Sequence, residues 1–426
     1  MPQEAQKEQA ADPNYTNSWY ALTPNRLLVT LGSLKGEINC DICVIGAGFT
    51  GISAAFELVQ KGYSVTLIEA KNVADAAPGK NGGHLLRGFH HAPGTLAKKY
   101  GAAGAKMLSN LTLEGLAVIV ERIAKHDIKC DLKFGHVTTA ITPDHVTSLK
   151  KKIDDWAKLG HVDMKYVSKK DMPAYADTKS YIGGLFDPKG AHFHPTNYML
   201  GVLQTAQNAG CKIYDETPVV SVTQGSPVRV ETKDGAVNAK FLVLGGYVKV
   251  DGIPRLNKKI VPMAMPMLAT QPLNERVAHK ILPKNSAIID SYRIMNYFKL
   301  SNDNRLLFGS LGLGVDPVQR MKAIFPELAE ADIAHQWNNP MDFTLNHMPN
   351  FGRMADNIFY AQGYCGQGII LGNLAGKLIA EAVSGTAERF DVFAKIKHWP
   401  VPGGYTLQQK VLALGMAWYR LQDSLL

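Results

Sequence analysis

The chain has 426 residues, of which 46% are hydrophobic and 19% are charged, and its formal net charge is +9. The length and composition are typical of a globular protein that can hold two interleaved domains with a large core. No apolar run is as long as a membrane span, and the first residues lack the apolar core of a secretory signal. We therefore expect residues 1–35 to form a polar leader with the first contacts, and we expect a cytoplasmic protein without a transmembrane segment.

The excess of basic residues does not by itself indicate a nucleic-acid partner. The lysine clusters at residues 150–152 and 169–170 lack the interleaved aromatic residues on which bases stack. We therefore expect no nucleic acid, and instead an attraction to anionic substrates or to an acidic partner surface.

The cysteine and histidine patterns do not indicate a redox or metal site. The five cysteines are an odd number without a regular spacing, which indicates reduced thiols. Cys40 and Cys43 have the spacing of a redox pair, but three residues along a strand should direct their side chains to opposite faces. His192 and His194 would share a face, yet no third ligand is evident, so we expect structural histidines and no metal.

Residues 41–71 have the pattern of a nucleotide-binding βαβ unit. Four apolar residues at 42–45 predict a strand that is buried on both faces. Three glycines follow in a G-x-G-x-x-G pattern: Gly46, Gly48 and Gly51. A helical pattern and a second strand come next, and Glu69 closes that strand 18 residues after the third glycine.

Each part of this unit has a physical role in holding a dinucleotide. Gly46 permits a tight turn, Gly48 lets the backbone approach a pyrophosphate, and Gly51 lets the helix pack close to the sheet. The helix N-terminus offers free N–H groups and a partial positive charge to the phosphates. Glu69 can accept hydrogen bonds from a ribose, and its charge disfavours a 2′-phosphate.

A second strand, glycine-rich loop and helix occupy residues 358–361, 362–368 and 369–383. A nicotinamide enzyme needs one such unit for its pyrophosphate, whereas two units at opposite ends of a chain fit an extended FAD better. The first unit would hold the ADP half, and the second would direct its helix N-terminus at the flavin. Between them, residues 260–312 predict an antiparallel sheet.

We therefore predict an α/β protein in which a Rossmann-like FAD-binding domain is interleaved with an α+β substrate domain built on an antiparallel sheet. The FAD-binding domain would comprise residues 36–93, 191–252 and 345–400. The substrate domain would comprise residues 94–190 and 253–344.

Residues 401–426 predict a C-terminal helix with an apolar stripe. The stripe consists of Leu407, Val411, Leu414, Trp418, Leu421 and Leu425. Such a stripe can lie on a membrane surface, but we expect it to pack on the body of the protein or on a second subunit, which would give a homodimer.

These motifs together resemble the FAD-dependent amine and amino-acid oxidases of the D-amino-acid oxidase superfamily, and most of all the γ-glutamylputrescine oxidase group. The resemblance runs from about residue 17 to the C-terminus. Besides the first fingerprint, it is carried by residues 79–83, 192–195, 348–353 and 363–368.

The resemblance implies non-covalent FAD and a role for each matching position. The ADP half would contact Gly46, Ala47, Gly48, Phe49, Thr50, Gly51, Glu69, Ala70, Lys71, Val219, Gly245 and Gly246. The isoalloxazine ring would be lined by Lys80, Asn81, Gly82, Gly83, His84 and Leu85, with Gly366, Gln367, Gly368 and Ile369 at its pyrimidine edge. Such enzymes transfer a hydride from the carbon beside an amine nitrogen to flavin N5, after which the imine hydrolyses and O₂ reoxidises the flavin to give H₂O₂.

The sequence departs from the pattern of this group near the reaction site. Lys80 and Lys299 stand where the group usually has arginine, His84 replaces a glutamine, and Gln367 replaces a histidine. Residues 337–339 read Trp-Asn-Asn where the group usually has Trp-Thr-Gly. Because the cofactor contacts are kept while the reaction pocket is changed, we expect a substrate other than γ-glutamylputrescine.

Four residues are expected to line the catalytic pocket: His84, Lys299, Trp337 and Gln367. Lys299 would hold an anionic substrate group or favour O₂ reduction, and the alternative is a lysine that faces solvent. The leading hypothesis is the oxidation of a small amine or amino acid. The second is a flavoprotein that modifies a protein client, as in the maturation of the tryptophylquinone cofactor of a quinoprotein amino-acid oxidase. A nicotinamide-dependent dehydrogenase is the third.

Overall fold

The computed structural model describes residues 18–25, 31–73, 79–246, 253, 256–312, 315–401 and 404–424. Most of the predicted leader lies outside these residues. The strands, in chain order, are β1 (Gly36–Ile45), β2 (Val65–Ile68), β3 (His84–Leu85), β4 (Lys133–Ala140), β5 (Lys165–Ser168), β6 (Gly183–His192), β7 (Lys212–Tyr214), β8 (Val219–Thr223), β9 (Val228–Thr232), β10 (Gly235–Leu244), β11 (Val261–Thr270), β12 (Ala287–Ile289), β13 (Asn296–Leu300), β14 (Leu306–Ser310), β15 (Ile333–Phe343), β16 (Asn350–Ala355) and β17 (Ile358–Gln362).

The α-helices of the described residues lie between these strands and at the two ends of the chain. They are α1 (Trp19–Leu22), α2 (Phe49–Gln60), α3 (Pro93–Lys125), α4 (Pro143–Ala157), α5 (Pro195–Asn208), α6 (Glu275–Ile281), α7 (Pro317–Ile324), α8 (Gly368–Val383), α9 (Glu388–Ala394) and α10 (Gly404–Ser424). Short 3₁₀ turns occur at Met172–Ala174, Leu256–Lys259 and Pro326–Leu328.

The first sheet has the strand order β16-β17-β10-β1-β2-β7, and β9 and β8 continue from β10. The five strands from β17 to β7 are parallel, whereas β16 and β9 are antiparallel to their neighbours. Ile42 and Val44 pack with α2, α5 and α8 in one apolar cluster, and Cys43 and Ile45 pack with β8 and β9 in another. Both faces of β1 are therefore buried, which is why its sequence is apolar without alternation.

The second sheet has the order β15-β11-β14-β13-β12-β4-β6-β3, with β5 beside β6. Its pairings are antiparallel except for β12 with β4. Side chains alternate between its faces: Phe298 and Phe308 belong to a core with α6 and α7, while Tyr297 and Leu307 belong to a cluster with α1. The two sheets confirm the predicted fold class. The predicted domain boundaries stay a prediction.

The helices that follow the two glycine motifs pack directly against each other. A Cβ atom at Gly376 of α8 would lie 2.4 Å from the backbone nitrogen of Ala54 in α2, so the two backbones are in contact. Arg122 of α3 closes this interface from the side. Its guanidinium donates to Asn373 Oδ1 (2.8 Å), Ser53 Oγ (2.9 Å) and Glu57 Oε1 (2.7 Å).

The prediction that Cys40 and Cys43 point to opposite faces is wrong. Both thiols pack against the same apolar cluster, because β1 is irregular at Asp41, where the N–H groups of Asp41 and Ile42 both donate to Ser64 O. All five cysteines are unpaired, and burial raises the pKa of the Cys40 and Cys43 thiols. A thiol with a raised pKa is a poor nucleophile, so the geometry gives no support to a redox pair.

The C-terminal helix α10 is only partly covered by the rest of the protein. Met416 is buried and fills the space beside Gly312, and Asp423 accepts from the N–H groups of Arg293 and Ile294. Three apolar side chains of the predicted stripe are exposed: Leu414, Trp418 and Leu421. The side chains of Leu407, Val411 and Leu425 lie outside those that the structure describes.

Within the described residues, α3 is the one helix long and apolar enough to cross a membrane by length and composition alone. Half of its apolar window is buried in the fold, and Gly101 interrupts the helix with a φ of +74°. Core helices of globular proteins meet the same criterion, so this is weak evidence for a membrane span.

We expect Arg122→Met to destabilise the protein by about 3 kcal/mol, because it leaves the buried Ser53 hydroxyl without a donor and Glu57 without its counter-charge. It also removes one of the two donors to Asn373 Oδ1, the other being the Tyr198 hydroxyl. Urea unfolding at saturating FAD measures this change in the free energy of unfolding. Arg229→Met is the matched control, since Arg229 pairs with Glu37 on the surface and its loss should change stability little. Equal effects of the two substitutions would contradict the assigned role of Arg122.

Candidate active site

The first glycine motif forms the turn between β1 and α2. Gly46 has a φ of +96°, which side chains rarely adopt. A Cβ atom at Gly51 would lie 1.9 Å from Gly46 O, so a larger residue would force the turn open. Gly48, in contrast, has only Gly245 O (3.6 Å) near its Cβ position, so a ligand can approach its backbone.

Glu69 lies over this turn at the end of β2. Its Oε2 accepts from Ala47 N at 2.7 Å, and its Oε1 accepts from Lys71 N at 3.1 Å. The Glu69 carbonyl accepts from Thr217 N, two residues before Val219 begins β8. The carboxylate is thereby fixed beside the nucleotide turn, where a ribose would hydrogen-bond to it.

The carboxyl ends of the parallel strands bring the remaining cofactor positions to one edge of the sheet. Gly245 follows β10 and donates its N–H to Ile45 O at 2.8 Å. The second glycine loop reaches the same edge, because Thr50 Oγ1 and the Tyr364 hydroxyl lie 2.5 Å apart. No side chain caps the N-terminus of α2 or α8, so the free N–H groups of both helices remain available to a bound group.

The residues at this edge fit FAD. The open backbone at Gly48, the uncapped helices and the fixed carboxylate of Glu69 would hold the ADP half. Gly366, Gln367, Gly368 and Ile369 precede or open α8 and would meet the flavin. The Cys365 thiol is poorly suited to covalent attachment: its Sγ lies 3.4 Å from both Thr344 N and Gly363 O, and burial raises its pKa, which makes it a weak nucleophile.

The loop that was predicted to line the isoalloxazine ring is held by side chains from distant parts of the chain. Ser18 Oγ donates to Gly79 O (2.6 Å), the Tyr20 hydroxyl donates to Gly82 O (3.2 Å), and Trp337 Nε1 donates to Lys80 O (2.8 Å). Within the loop, Gly83 N donates to Asn81 Oδ1 at 2.8 Å. Leu85 is fully buried in β3. These hydrogen bonds tie the loop to α1 and to β15.

Lys299 lies beneath this loop and not on the surface, so the alternative of a solvent-facing lysine is wrong. Its Nζ donates to Phe193 O at 2.5 Å and would lie 3.0 Å from a Cβ atom at Gly83. The side chain is 3% exposed, and burial lowers its pKa to about 7.

His84 projects from the end of the loop and carries no charge at neutral pH. Burial, followed by the nearby His136, Lys299 and His192, lowers its pKa well below the usual value. In the described residues neither ring nitrogen has a hydrogen-bond partner. Burial likewise lowers the pKa of His136 and of His192 to about 3.

One face of the second sheet forms a wall opposite the loop. The Tyr297 ring lies between two glycines: Cβ atoms at Gly309 and Gly82 would meet it at 2.3 and 2.8 Å. Trp337, on β15, stands in a T-shaped arrangement with Tyr20, with ring centroids 6.1 Å apart. At the end of this wall that faces the second glycine loop, Met341 Sδ would lie 3.9 Å from a Cβ atom at Gly366.

The structure thus places His84, Trp337 and Lys299 around one loop and Gln367 at the second. Sequence analysis assigned no individual role to several residues at this place: Ser18, Tyr20, Tyr297, Asn339 and Tyr364. Alternate residues along a strand lie on the same face, and this rule could have identified two of them. Tyr297 shares a face with Lys299, and Asn339 shares a face with Trp337. The contacts of the other three depend on tertiary packing.

We expect Gly51→Ala to weaken FAD binding about tenfold or more, because opening the turn displaces backbone N–H groups that donate to charged phosphates. The ratio of absorbance near 450 nm to that at 280 nm in the purified protein measures the retained flavin. Gly415→Ala is the control, since nothing lies within 4 Å of its Cβ position. Full flavin retention in Gly51→Ala would contradict this description of the turn.

Comparisons with known proteins agree with this geometry. The family described as FAD dependent oxidoreductase, DAO, matches residues 41–382. The γ-glutamylputrescine oxidoreductase of Escherichia coli K12 is 34% identical over 425 residues, which cover 96% of this chain and 99% of that protein. A probable oxidoreductase, OrdL, of Haemophilus influenzae is 34% identical over 90% of this chain and 92% of its own.

Solved structures show the same fold at lower identity. Glycine oxidase from Geobacillus kaustophilus superposes with a TM-score of 0.69 at 19% identity, covering 85% of this chain and all of that one. L-Proline dehydrogenase from P. horikoshii gives 0.67 at 17% identity, covering 82% and 94%. The predicted superfamily and the FAD cofactor are confirmed: the chain belongs to the DAO family of FAD-dependent oxidoreductases.

Proposed function

We propose that the protein oxidises a C–N bond of an amine or amino acid. The observation that carries the proposal is the 34% identity, over nearly the whole of both chains, to an oxidoreductase named for an amine substrate. The fold neighbours do not carry it, because their identities are below 20%.

The electrostatics of the site support this reaction. An amine must lose its proton before it can give up a hydride, so a pocket that does not favour cations promotes the reactive form. His84 is uncharged near the loop. No strong general base is required, since the low-polarity surroundings favour the neutral amine.

FAD supplies the hydride acceptor when it is bound. The protein residues orient the substrate and exclude water. Three aromatic side chains surround Gly82: Tyr20, Tyr297 and Trp337. Their hydrogen bonds and packing hold the loop against the sheet. Lys299 Nζ lies beside Gly83 and 5.6 Å from the centre of the Tyr20 ring, where its charge would stabilise negative charge that develops as O₂ accepts electrons.

The direct test is anaerobic mixing of the yellow protein with a panel of amines and amino acids, followed by the absorbance near 450 nm. We expect at least one amine to bleach the flavin and, in air, to yield H₂O₂. Failure of every small amine would contradict the proposal and favour the alternative, a flavoprotein that modifies a protein client such as a quinoprotein precursor.

We expect Lys299→Met to slow reoxidation of the reduced protein by O₂ by about tenfold or more, because it removes a charge that stabilises the developing anion. Since the Lys299 pKa is about 7, the charged form is present below pH 7 and is lost above it. The reoxidation rate of the unmodified protein should therefore fall as pH rises through 7, and Lys299→Met should lack this dependence.

Stopped-flow mixing of the reduced protein with oxygenated buffer measures both effects. Lys189→Met serves as the control, since Lys189 is 60% exposed and pairs with Asp163 on the surface. An unchanged pH profile in Lys299→Met would show that another group controls the reaction with O₂. A cytoplasmic location, a homodimer and O₂ as the physiological acceptor stay predictions from the sequence.

A further inference from the structure

The C-terminal helix α10 carries an apolar stripe that the described part of the chain leaves uncovered. The stripe consists of Leu414, Trp418 and Leu421, which are 73%, 57% and 52% exposed. Between residues 413 and 421, every residue except Met416 is exposed. Proteins that act as monomers rarely leave neighbouring large apolar side chains in water, so this stripe indicates an interaction surface.

Two contacts hold α10 so that the exposed stripe faces away from the protein body. Met416 is buried and fills the space beside Gly312, and Asp423 accepts from the N–H groups of Arg293 and Ile294 at 2.8 and 2.9 Å. At about 3.6 residues per turn, these two anchoring residues lie on the side of the helix opposite the stripe. The stripe therefore cannot reach the body that holds the helix, and its partner must be another molecule.

The spacing of the stripe is typical of a helix that pairs with another helix. Its members are four and then three residues apart, and in the sequence the same alternation continues at Leu407, Val411 and Leu425. An apolar residue at alternating steps of three and four keeps one narrow line on the helix surface. Such a line is the position at which a second helix packs.

The composition of α10 argues against a lipid surface as the partner. Residues 404–424 contain two basic residues, Lys410 and Arg420, and one acidic residue, Asp423. Helices that lie on membranes have a broad apolar face and a polar face rich in lysine and arginine. In α10 the apolar line is narrow, and the opposite side holds the contacts of Met416 and Asp423 with the body.

The stripe is complementary to a second copy of itself. When two α10 helices lie antiparallel about a two-fold axis midway between Leu414 and Trp418, each Leu414 faces Trp418 of the other copy. Among the described residues, the positions that flank the stripe are Gly415, Ala417 and Gln422, so like charges do not meet across the pair. The small residues at 415 and 417 leave room for the indole ring, since nothing lies within 4 Å of a Cβ atom at Gly415.

We propose that α10 pairs with α10 of a second copy of this chain, so that the exposed stripes of the two copies form the centre of a two-fold symmetric dimer. A two-fold interface uses the same patch on both subunits, as the self-complementary spacing requires. A single pair of 21-residue helices is at the small end of stable interfaces. The dimer should therefore dissociate on dilution. The pairing does not depend on the identity of the substrate.

The test is the mass of the FAD-loaded protein, measured by light scattering after gel filtration over protein concentrations of about 1–100 μM. We expect twice the monomer mass at high concentration and a fall towards the monomer mass on dilution. Leu414→Glu should raise the dissociation constant about a hundredfold or more, because it places unpaired carboxylates in an apolar contact. Tyr419→Glu is the matched control, since Tyr419 is exposed on the same helix but lies off the stripe.

The absorbance near 450 nm shows whether each variant has kept its FAD, and Leu421→Glu carries the same expectation if Leu414→Glu has lost it. A monomer at every concentration, or a dimer that both substitutions on the stripe leave unchanged, would overturn the pairing. Equal weakening by Tyr419→Glu would also overturn it. Sedimentation with phosphatidylcholine–phosphatidylglycerol vesicles tests the other occupant. We expect the protein to stay in the supernatant, and co-sedimentation that Leu414→Glu abolishes would assign the stripe to a membrane instead.

Discussion

The contact between α2 and α8 is the constraint on which the rest of the structure depends. These helices follow the two glycine motifs, and their backbones touch at Gly376 and Ala54. Arg122 ties both helices to α3 through Asn373, Ser53 and Glu57. Because both N-termini point to the same edge of the sheet, the packing of two helices fixes the distance between the nucleotide end and the flavin end of the cofactor site. Adding one methyl group at this interface would therefore change the distance between the two ends of the cofactor site.

The reaction pocket is built on a different principle from the nucleotide site. Backbone groups would hold the nucleotide, so the residues expected to matter there are small, and larger side chains would clash with the backbone. The proposed pocket is lined by side chains of the second sheet, and the loop at residues 80–83 is attached to that sheet through Trp337 and Tyr297 and to α1 through Tyr20. Substitutions on this sheet can therefore change the substrate without disturbing cofactor binding. This separation explains how the sequence keeps the family fingerprint while departing from the family pattern at residues 299 and 337–339.

The nucleotide unit could be predicted from the sequence because its signals are local: the apolar run of β1, the three glycines and Glu69 lie within one βαβ segment. We could also predict that the two glycine loops serve one cofactor, because FAD is long enough to need both. The choice between a pocket position and a solvent-facing position for Lys299 could not be made from the sequence, because its burial depends on Gly83 and Phe193, which are distant in sequence. For Cys40 and Cys43, strand periodicity predicted side chains on opposite faces. The irregularity of β1 at Asp41 places both on the same face, and this irregularity could not be read from the sequence.

The hydrogen bond between Thr50 and Tyr364 spans 314 residues of chain, and this has a consequence for biosynthesis. The ribosome releases α2 well before α8, and at about 5–20 residues per second the interval is roughly 15–60 seconds. During that time the apolar face of α2 lacks its partner, and the flavin end of the site does not exist. The nascent chain must therefore avoid aggregation of its first segment. FAD can bind tightly only after the second glycine loop has been translated.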